Sequence, residues 1–331
     1  MAGADAAADG ENYTLTITAA DREACKRLDV FLAGKLPFSR STIKRMFEDE
    51  DIAGDVPLSL NKMPPAGTVI EVEVPPPVPS DLVPEAIPLE ILFEDAHLLV
   101  VNKPAGLVVH PAPGHYIGTL VNAVLHHCPD LKGIGAEKRP GIVHRLDMGT
   151  SGVMVVAKDQ PTHEGLVSLF SVHDIERKYE ALVGGKPAVH SGTISSTIGR
   201  HPTHRQKMAA NVKNGKRAIT HYKTLKQFDG ATHVELRLET GRTHQIRVHL
   251  SQLLHTPILC DPVYGGSDSH LKRVPEALRA ALVAYPYQLL HAKELGFVHP
   301  ITRERLHFTS PPPEIFQAAL RAFSGDEEQL Q

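Results

Sequence analysis

The 331-residue chain contains no tryptophan and only three cysteines, Cys25, Cys128 and Cys260. They are odd in number, far apart and never in a Cys-x-x-Cys pair. That excludes a disulfide framework or a zinc ribbon and points to a reducing compartment, the cytoplasm. Long apolar runs are also missing, since stretches such as Val153–Ala157 fall far short of the roughly 18 residues a membrane span needs. No charged segment followed by an apolar one opens the chain, so no secretory signal is expected. Gly-x-Gly-x-x-Gly, the phosphate loop, His-Glu-x-x-His and Gly-x-Ser-x-Gly are absent, which withdraws support from nucleotide-dependent, zinc-protease and serine-hydrolase chemistry. The 20 histidines raise a metal reading. Their nearest approaches to ligand clusters, His126-His127-Cys128 and His244-x4-His249, have no partner at zinc-site spacing. No metal is expected.

What is present is a segregated charge. The whole chain is at −3, yet Lys186–Leu250 holds twelve Lys/Arg against Asp229, Glu235 and Glu239, or +9, leaving −12 elsewhere. A polyanion bound by one face suits that pattern, and a solvated basic surface is the plainer alternative. Residues 1–11 are small and acidic and read as a disordered tail. Residues 12–75 read as a small α/β module: a strand at Tyr13–Thr18, a helix through Arg27–Leu32, a second helix from the Ser39–Thr42 cap to about Phe47, and a strand at Val69–Val74. Arg40, Lys44 and Arg45 share one side of that second helix. The proline-rich stretch 76–88 is a stiff linker. Residues 89–325 read as a larger domain, with 326–331 a tail. Its expected strands are Ile91–Phe93, Leu98–Asn102, Ile142–Arg145, Val153–Ala157, Lys178–Val183, Ala218–Gln227 and Val234–Glu239. Its expected helices are about Pro161–Ser171 and Thr243–Leu254. Strands outnumber helices, so the fold class is α+β, with a mixed, mainly antiparallel sheet and flanking helices.

The most informative run is Gly141-Ile-Val-His-Arg-Leu-Asp-Met-Gly-Thr-Ser-Gly-Val-Met-Val-Val-Ala-Lys158, a strand, a polar turn and a second strand. It sets the Asp147 carboxylate beside His144 and Arg145 at a strand exit, where a rigid frame can aim it. An isolated Asp-x-Gly would mark only a turn. The whole run, however, resembles the signature of the pseudouridine synthases with a His-Arg-Leu-Asp motif. Five further motifs follow the family order across about residues 82–313. They are Val101-Asn-Lys-Pro-Ala-Gly-Leu-Val-Val-His110, Arg177-Lys-Tyr-Glu-Ala-Leu-Val183, Ile198-Gly-Arg-His-Pro202, Glu239-Thr-Gly-Arg-Thr-His-Gln-Ile-Arg-Val-His249 and Pro257-Ile-Leu-Cys-Asp-Pro-Val-Tyr-Gly265. Two departures stand out: Met148-Gly149 replaces a Lys/Asp-type pair, and Glu48-Asp49-Glu50-Asp51 replaces a glycine-centred turn in the N-terminal module.

The resemblance is nearest to synthases acting on large-subunit ribosomal RNA, whose N-terminal RNA-binding module is S-four-like, as residues 13–77 resemble. It implies isomerisation of uridine to pseudouridine with Asp147 as nucleophile, Arg247 as its ion-pair partner and Tyr179 stacked on the uracil. No group is imported in that reaction, so no cofactor is expected. The base must be extruded from its stack to be reached. RNA contacts are expected from His144, Arg145 and Arg242, from Arg200, His201, Arg205 and Lys207 in a strand-to-strand loop, and from Arg40, Lys44 and Arg45. The partner is RNA, ribosomal or within a pre-ribosomal particle, with no membrane, and the chain is taken as a monomer. The alternatives are a transfer-RNA synthase and a non-catalytic RNA-binding assembly factor.

Overall fold

A computed structural model describes residues 12–36, 38, 40–73, 82–112, 114–131, 134–136, 139–204, 206–265, 271–272 and 276–325, without the side chains of Ser41, Thr42, Arg45, Ala136 and Ala277. The expected tails and residues 76–81 of the linker lie outside them. The chain divides into two units, Met1–Asp81 and Leu82–Gln331.

In the first unit, β1 (Tyr13–Thr16), β3 (Val69–Val72) and β2 (Ile52–Gly54) form an antiparallel sheet in that order. Three helices accompany it: α1 (Ala19–Ala24), α2 (Leu28–Lys35) and α3 (Arg40–Glu48). Thr18 and Asp21 cap α1 reciprocally, each side chain meeting the other's backbone N–H. Leu28, Phe31 and Leu32 of α2 pack with Ile43 and Met46 of α3 and Ile70 and Val72 of β3. Asp29 accepts from both Nε and Nη2 of Arg27 (2.9 and 3.0 Å) and from Arg40 Nη2 (2.7 Å). Those arginines hold its carboxyl well below the usual range, Arg27 foremost, against the opposing effect of burial. Arg40 is thus engaged within its own unit, while Lys44 is exposed. The Arg45 side chain lies outside the described residues.

The second unit is organised on ten strands: β4 (Glu90–Glu94), β5 (Leu98–Lys103), β8 (Ser151–Ala157), β9 (Glu176–Gly184), β10 (Ser191–Arg200), β11 (Met208–Ala210), β12 (Lys216–Gln227), β13 (Ala231–Leu238), β14 (Leu290–Val298) and β15 (Arg305–Thr309). The short hairpin of β6 (Gly135–Ala136) and β7 (Arg139–Pro140) stands apart. The sheet order is β11-β10-β12-β13-β9-β14-β8-β5-β4, with β15 on the second half of β14. Every pairing is antiparallel except β14 with β8. β5 and β8 are covered on both faces, which is why they read as unbroken apolar runs. Leu99, Val101, Met154 and Val156 face one core with α4 (Leu120–His127). Leu98, Val100, Val153 and Val155 face another with Leu166 of α5 (Gln160–Ser171). Beyond α6 (Gln245–Val248), which turns into a π-helix over His249–Leu253, come α7 (Glu276–Ala284) and α8 (Glu314–Ser324).

Four expectations need correction. Residues 142–145 are no strand: only Ile142 bridges, to Val156, and the His144 imidazole takes the Val155 N–H that a further rung would have used. The second half of the expected linker is not free, because Asn122 holds the Val83 carbonyl (2.8 Å) and Glu85 accepts from the Gly118 N–H (2.7 Å). The Thr243–Leu254 helix starts later, after a left-handed His244 (φ 56°), and changes pitch at His249. The strand expected to end at Glu239 stops at Leu238, and β10 was not expected because it buries only Ile194 and Ile198 among polar residues.

At the parallel junction Gly152 of β8 has φ +121°, and a Cβ there would stand 2.2 Å from the Ala292 carbonyl oxygen. The clash is with backbone, so no side chain can move to relieve it. Gly152→Ala is expected to cost at least about 3 kcal/mol, read as a lowered urea midpoint. An unchanged midpoint would mean that β8 and β14 can separate freely.

Candidate active site

Asp147 sits on the turn leading into β8, and that turn is tied down from beneath. Lys103, fully buried at the end of β5, points its ammonium at three carbonyls: Pro104 (2.8 Å), Leu107 (2.9 Å) and Met148 (3.1 Å). One acceptor per ammonium hydrogen is what makes such a burial tolerable. Burial still pushes its pKa down to about 7, against the pull of the Asp147 charge. The Gly106 N–H also donates to Met148 O (2.8 Å), and the Thr150 N–H to Asp147 O (3.0 Å). The turn is therefore fixed through its backbone.

Arg247 arrives from α6, one hundred residues later. Its approach loop is set by Gln245, which accepts from the Arg242 N–H (3.0 Å) and donates to the Ile219 carbonyl (2.9 Å). Asp261 accepts from Arg247 Nε and Nη2, both at 2.8 Å, and Asp147 Oδ2 accepts from Nη1 at 3.1 Å. Asp261 is itself held by the backbone N–H groups of Val263 and Tyr264. The Tyr264 ring lies 5.1 Å from the guanidinium carbon, and its hydroxyl meets His244 Nδ1 at 2.8 Å. Burial works to lower the Arg247 pKa. The hydrogen bonds to Asp261, and the charges of both carboxylates, more than reverse this and raise it. One cation thus serves two carboxylates, and Asp147 Oδ1 carries no hydrogen bond among the described residues.

Tyr179 on β9 is buried, and its phenol is raised by that burial, with Arg177 opposing and Asp147 reinforcing. Asp147, Tyr179, Arg247, His144, Arg145 and Arg242 all line one cleft of about 520 Å³, within the size range of small-molecule and cofactor pockets. His144 is turned inward, stacked on Phe170 (4.6 Å between centroids), and burial lowers its pKa to about 3. Arg145 is exposed, and Arg242 reaches the Arg217 carbonyl (3.0 Å). Arg200 ends β10, His201 and Lys207 belong to the β10–β11 connection, and none of the three lines the cleft. There His201 Nδ1 caps the N–H groups of Thr203 and His204. Arg205 lies outside the described residues.

The sequence reading missed Lys103, Arg177, Asp261 and Tyr264 as working residues, although all four stand inside motifs quoted above. The signal for Asp261 was an acid set in Pro-Ile-Leu-Cys-Asp-Pro, an apolar context that demands a buried cation. Two other groups bring metal-ligand atoms within 4.8 Å of one another: Glu94, His127 and Cys128, and Glu176, Glu294 and His307. In each a lysine already occupies the place of a cation, Lys158 on Glu94 (2.7 Å) and Lys178 on Glu294 (2.7 Å) and Glu176 (3.2 Å).

Residues 97–252 match the family model described as RNA pseudouridylate synthase. The "ribosomal large subunit pseudouridine synthase D" of Zymomonas mobilis is 50% identical over 248 residues, 74% of this chain and 76% of that protein. The chain belongs to the RNA pseudouridine synthase family. A synthase D of the same description from Pseudomonas aeruginosa is 42% identical over 305 residues, covering 92% of this chain and 93% of its own length. Among solved structures, "Human RNA Pseudouridylate Synthase Domain Containing 4" superposes with a TM-score of 0.55 at 28% identity, covering 71% of this chain and 93% of that one. The protein is therefore an RNA-modifying isomerase, and its fold is the mixed, mainly antiparallel α+β fold expected. For a pseudouridine synthase the cleft has a fitting charge: Arg145, Arg177, Arg242 and Arg247 line it with Asp147 as its one carboxylate.

Two outcomes follow for this synthase. Asp261→Asn leaves the Arg247 edge facing an amide, and is expected to destabilise the fold by about 3 kcal/mol and to lower kcat more than KM, checked by urea unfolding and single-turnover assay. His249, fully buried with Ser196 and Thr220 on its two nitrogens, is pushed by burial from 6.5 to about 4. Between those values the unfolded chain binds a proton that the native one does not, so stability falls as pH drops from 6.5 to 4, by on the order of 3 kcal/mol from this group. His249→Gln is expected to flatten that part of the pH–stability curve; an unchanged slope would assign the acid sensitivity to other groups.

Proposed function

We propose that this pseudouridine synthase acts on particular uridines of large-subunit ribosomal RNA, with Asp147 as the nucleophile. The observation that carries the proposal is the single cation shared between Asp147 and a buried second carboxylate, in a cleft that also holds Tyr179. The relatives named for large-subunit ribosomal RNA support the substrate class.

The reaction breaks the C1′–N1 bond of uridine, turns the uracil and joins C1′ to C5. A proton leaves C5 and N1 gains one. Atoms and electrons balance within the substrate, so the chemistry asks for a positioned carboxylate and for walls that hold the detached base, with no imported group. An ionised Asp147 serves either by attack on sugar or base, or by proton abstraction to a glycal. Arg247 keeps the carboxylate aimed, and Tyr179 stacks on the uracil and stops it escaping. The target base is flipped out of its stack to enter.

The β10–β11 loop, with Arg200, His201, Arg205 and Lys207, grips the RNA near the flipped nucleotide. Arg145 and Arg242 serve at the cleft mouth. The N-terminal unit, residues 12–75, acts as an S-four-like RNA-binding module through Lys44 and its neighbours, and 89–325 carries the catalysis. The protein works as a monomer in the cytoplasm, where ribosomal RNA is modified.

The test is incubation of the purified protein with unmodified large-subunit ribosomal RNA and with transfer RNA transcripts, followed by carbodiimide primer extension. Stops are expected in the ribosomal RNA alone. Asp147→Asn is expected to lower the rate more than about 10³-fold while RNA binding persists. Stops confined to transfer RNA would overturn the substrate, and turnover by the variant would overturn the nucleophile.

A further inference from the structure

A buried cation normally faces a carboxylate or a full set of acceptors. Arg247 has the first and Lys103 the second. Arg177 has neither. Two residues before Tyr179 on β9, it is only 7% exposed. Its Nη2 donates to the carbonyls of Glu239 (2.9 Å) and Leu238 (3.4 Å), and the Phe170 ring lies 5.5 Å from its guanidinium carbon. Its Nε is buried with no hydrogen-bond partner. Its Nη1 has no acceptor among the described residues, and no carboxylate among them reaches the side chain. The adjoining Glu176 is spent on Lys178 (3.2 Å), and the carboxylate of Glu239, whose carbonyl Arg177 binds, on His221 (2.7 Å). Burial lowers the Arg177 pKa, with the neighbouring Tyr179 opposing.

The position of this unmatched charge is informative. Arg177 and Tyr179 lie on one face of β9, roughly 6.6 Å apart along the strand, and both line the cleft of Asp147. Gly241 forms the adjoining wall, where a Cβ would come within 3.1 Å of Arg177 Nη1. The glycine leaves the uncommitted nitrogen uncovered. Arg145 and Arg242 line the same cleft.

We propose that Arg177, flanked by Arg145 and Arg242, is a phosphate subsite that binds the RNA backbone phosphate adjoining the target uridine. It rests on the reading that the Asp147 cleft receives a flipped uridine. Nη1 donates to a non-bridging phosphate oxygen, and the phosphate charge supplies the counter-ion that the protein omits. In free enzyme the omission is a cost. In the complex it becomes a contact made only when the nucleotide is fully seated, so the subsite couples backbone placement to base insertion.

The test is a phosphate walk. RNA fragments carrying the mapped uridine are made with one neutral methylphosphonate linkage at a time, and binding is measured with wild-type protein, Arg177→Met and Arg177→Lys. One linkage flanking the uridine is expected to weaken wild-type binding about tenfold. The same linkage should cost Arg177→Met less than about twofold, and that variant should lose about 0.7 from the slope of log K against log salt. Arg177→Lys should keep most of the linkage effect. Wild-type indifference to every flanking linkage, or an equal penalty in Arg177→Met, would overturn the subsite and leave Arg177 a structural residue. Should Arg177→Met fail to fold, the wild-type walk and Arg177→Lys decide the matter. Because the readout is binding, a failed subsite is distinct from a failed functional reading, which would show as no pseudouridine in any transcript.

Discussion

The site depends on how the Arg247 guanidinium divides its hydrogens. One edge, Nε and Nη2, is fully taken by Asp261, and a single Nη1 is left for Asp147. Bidentate pairing fixes the plane of the group as well as its position. Asp261 in turn is fixed by two backbone N–H groups, so the chain of constraint runs from main chain to carboxylate to cation to carboxylate. Asp147 is the last link and the least tied. A carboxylate with one oxygen held and the other uncommitted can meet a substrate atom without first giving up a partner.

The sheet makes this geometry affordable in three dimensions. β9, β14 and β8 are neighbours at its middle, so Tyr179 and the Asp147 turn are brought together by hydrogen-bond register alone. α6 then lays Arg247 over them. The surrounding strands are packed on both faces, and that rigidity is what allows a few tenths of an ångström to matter at the carboxylate. The π-helical turn after Arg247 is consistent with a helix whose ends are dictated by contacts, Gln245 before it and His249 after, instead of by helix propensity.

Much of this was legible in the residues, for identifiable reasons. β5 and β8 announce themselves because both faces are apolar, and α5 because Asp159 and Pro161 mark its start. The anchoring of residues 83–85 was not readable, since the hydrogen bonds that capture Val83 and Glu85 come from Asn122 and Gly118, some forty and thirty-three residues away. β10 has too few apolar side chains to declare a period, and 142–145 has enough of them to mislead, because a histidine side chain substitutes for a backbone rung. The pairing of Asp147 with Arg247 spans one hundred residues and has no local signature. Only the resemblance of several motifs in order placed them together. Asp261 and Arg177 were overlooked because a motif reading assigns roles to residues already credited with one, whereas a census of buried charge asks every residue for its partner.

The clamp beneath the active turn has a consequence for how such a protein varies. Lys103 and Gly106 hold position 148 by its carbonyl oxygen, which every amino acid possesses, while the Met148 side chain is 41% exposed and takes no part. Position 149 is different, since a Cβ there would meet Gln288 at 2.6 Å. The residue immediately after the nucleophile can therefore drift in size and charge without disturbing it, whereas a side chain at the next requires Gln288, which holds the Thr150 hydroxyl, to give way. Met148 beside the nucleophile is then a mark of a site addressed through the main chain, in which the neighbouring side chain is left to natural variation.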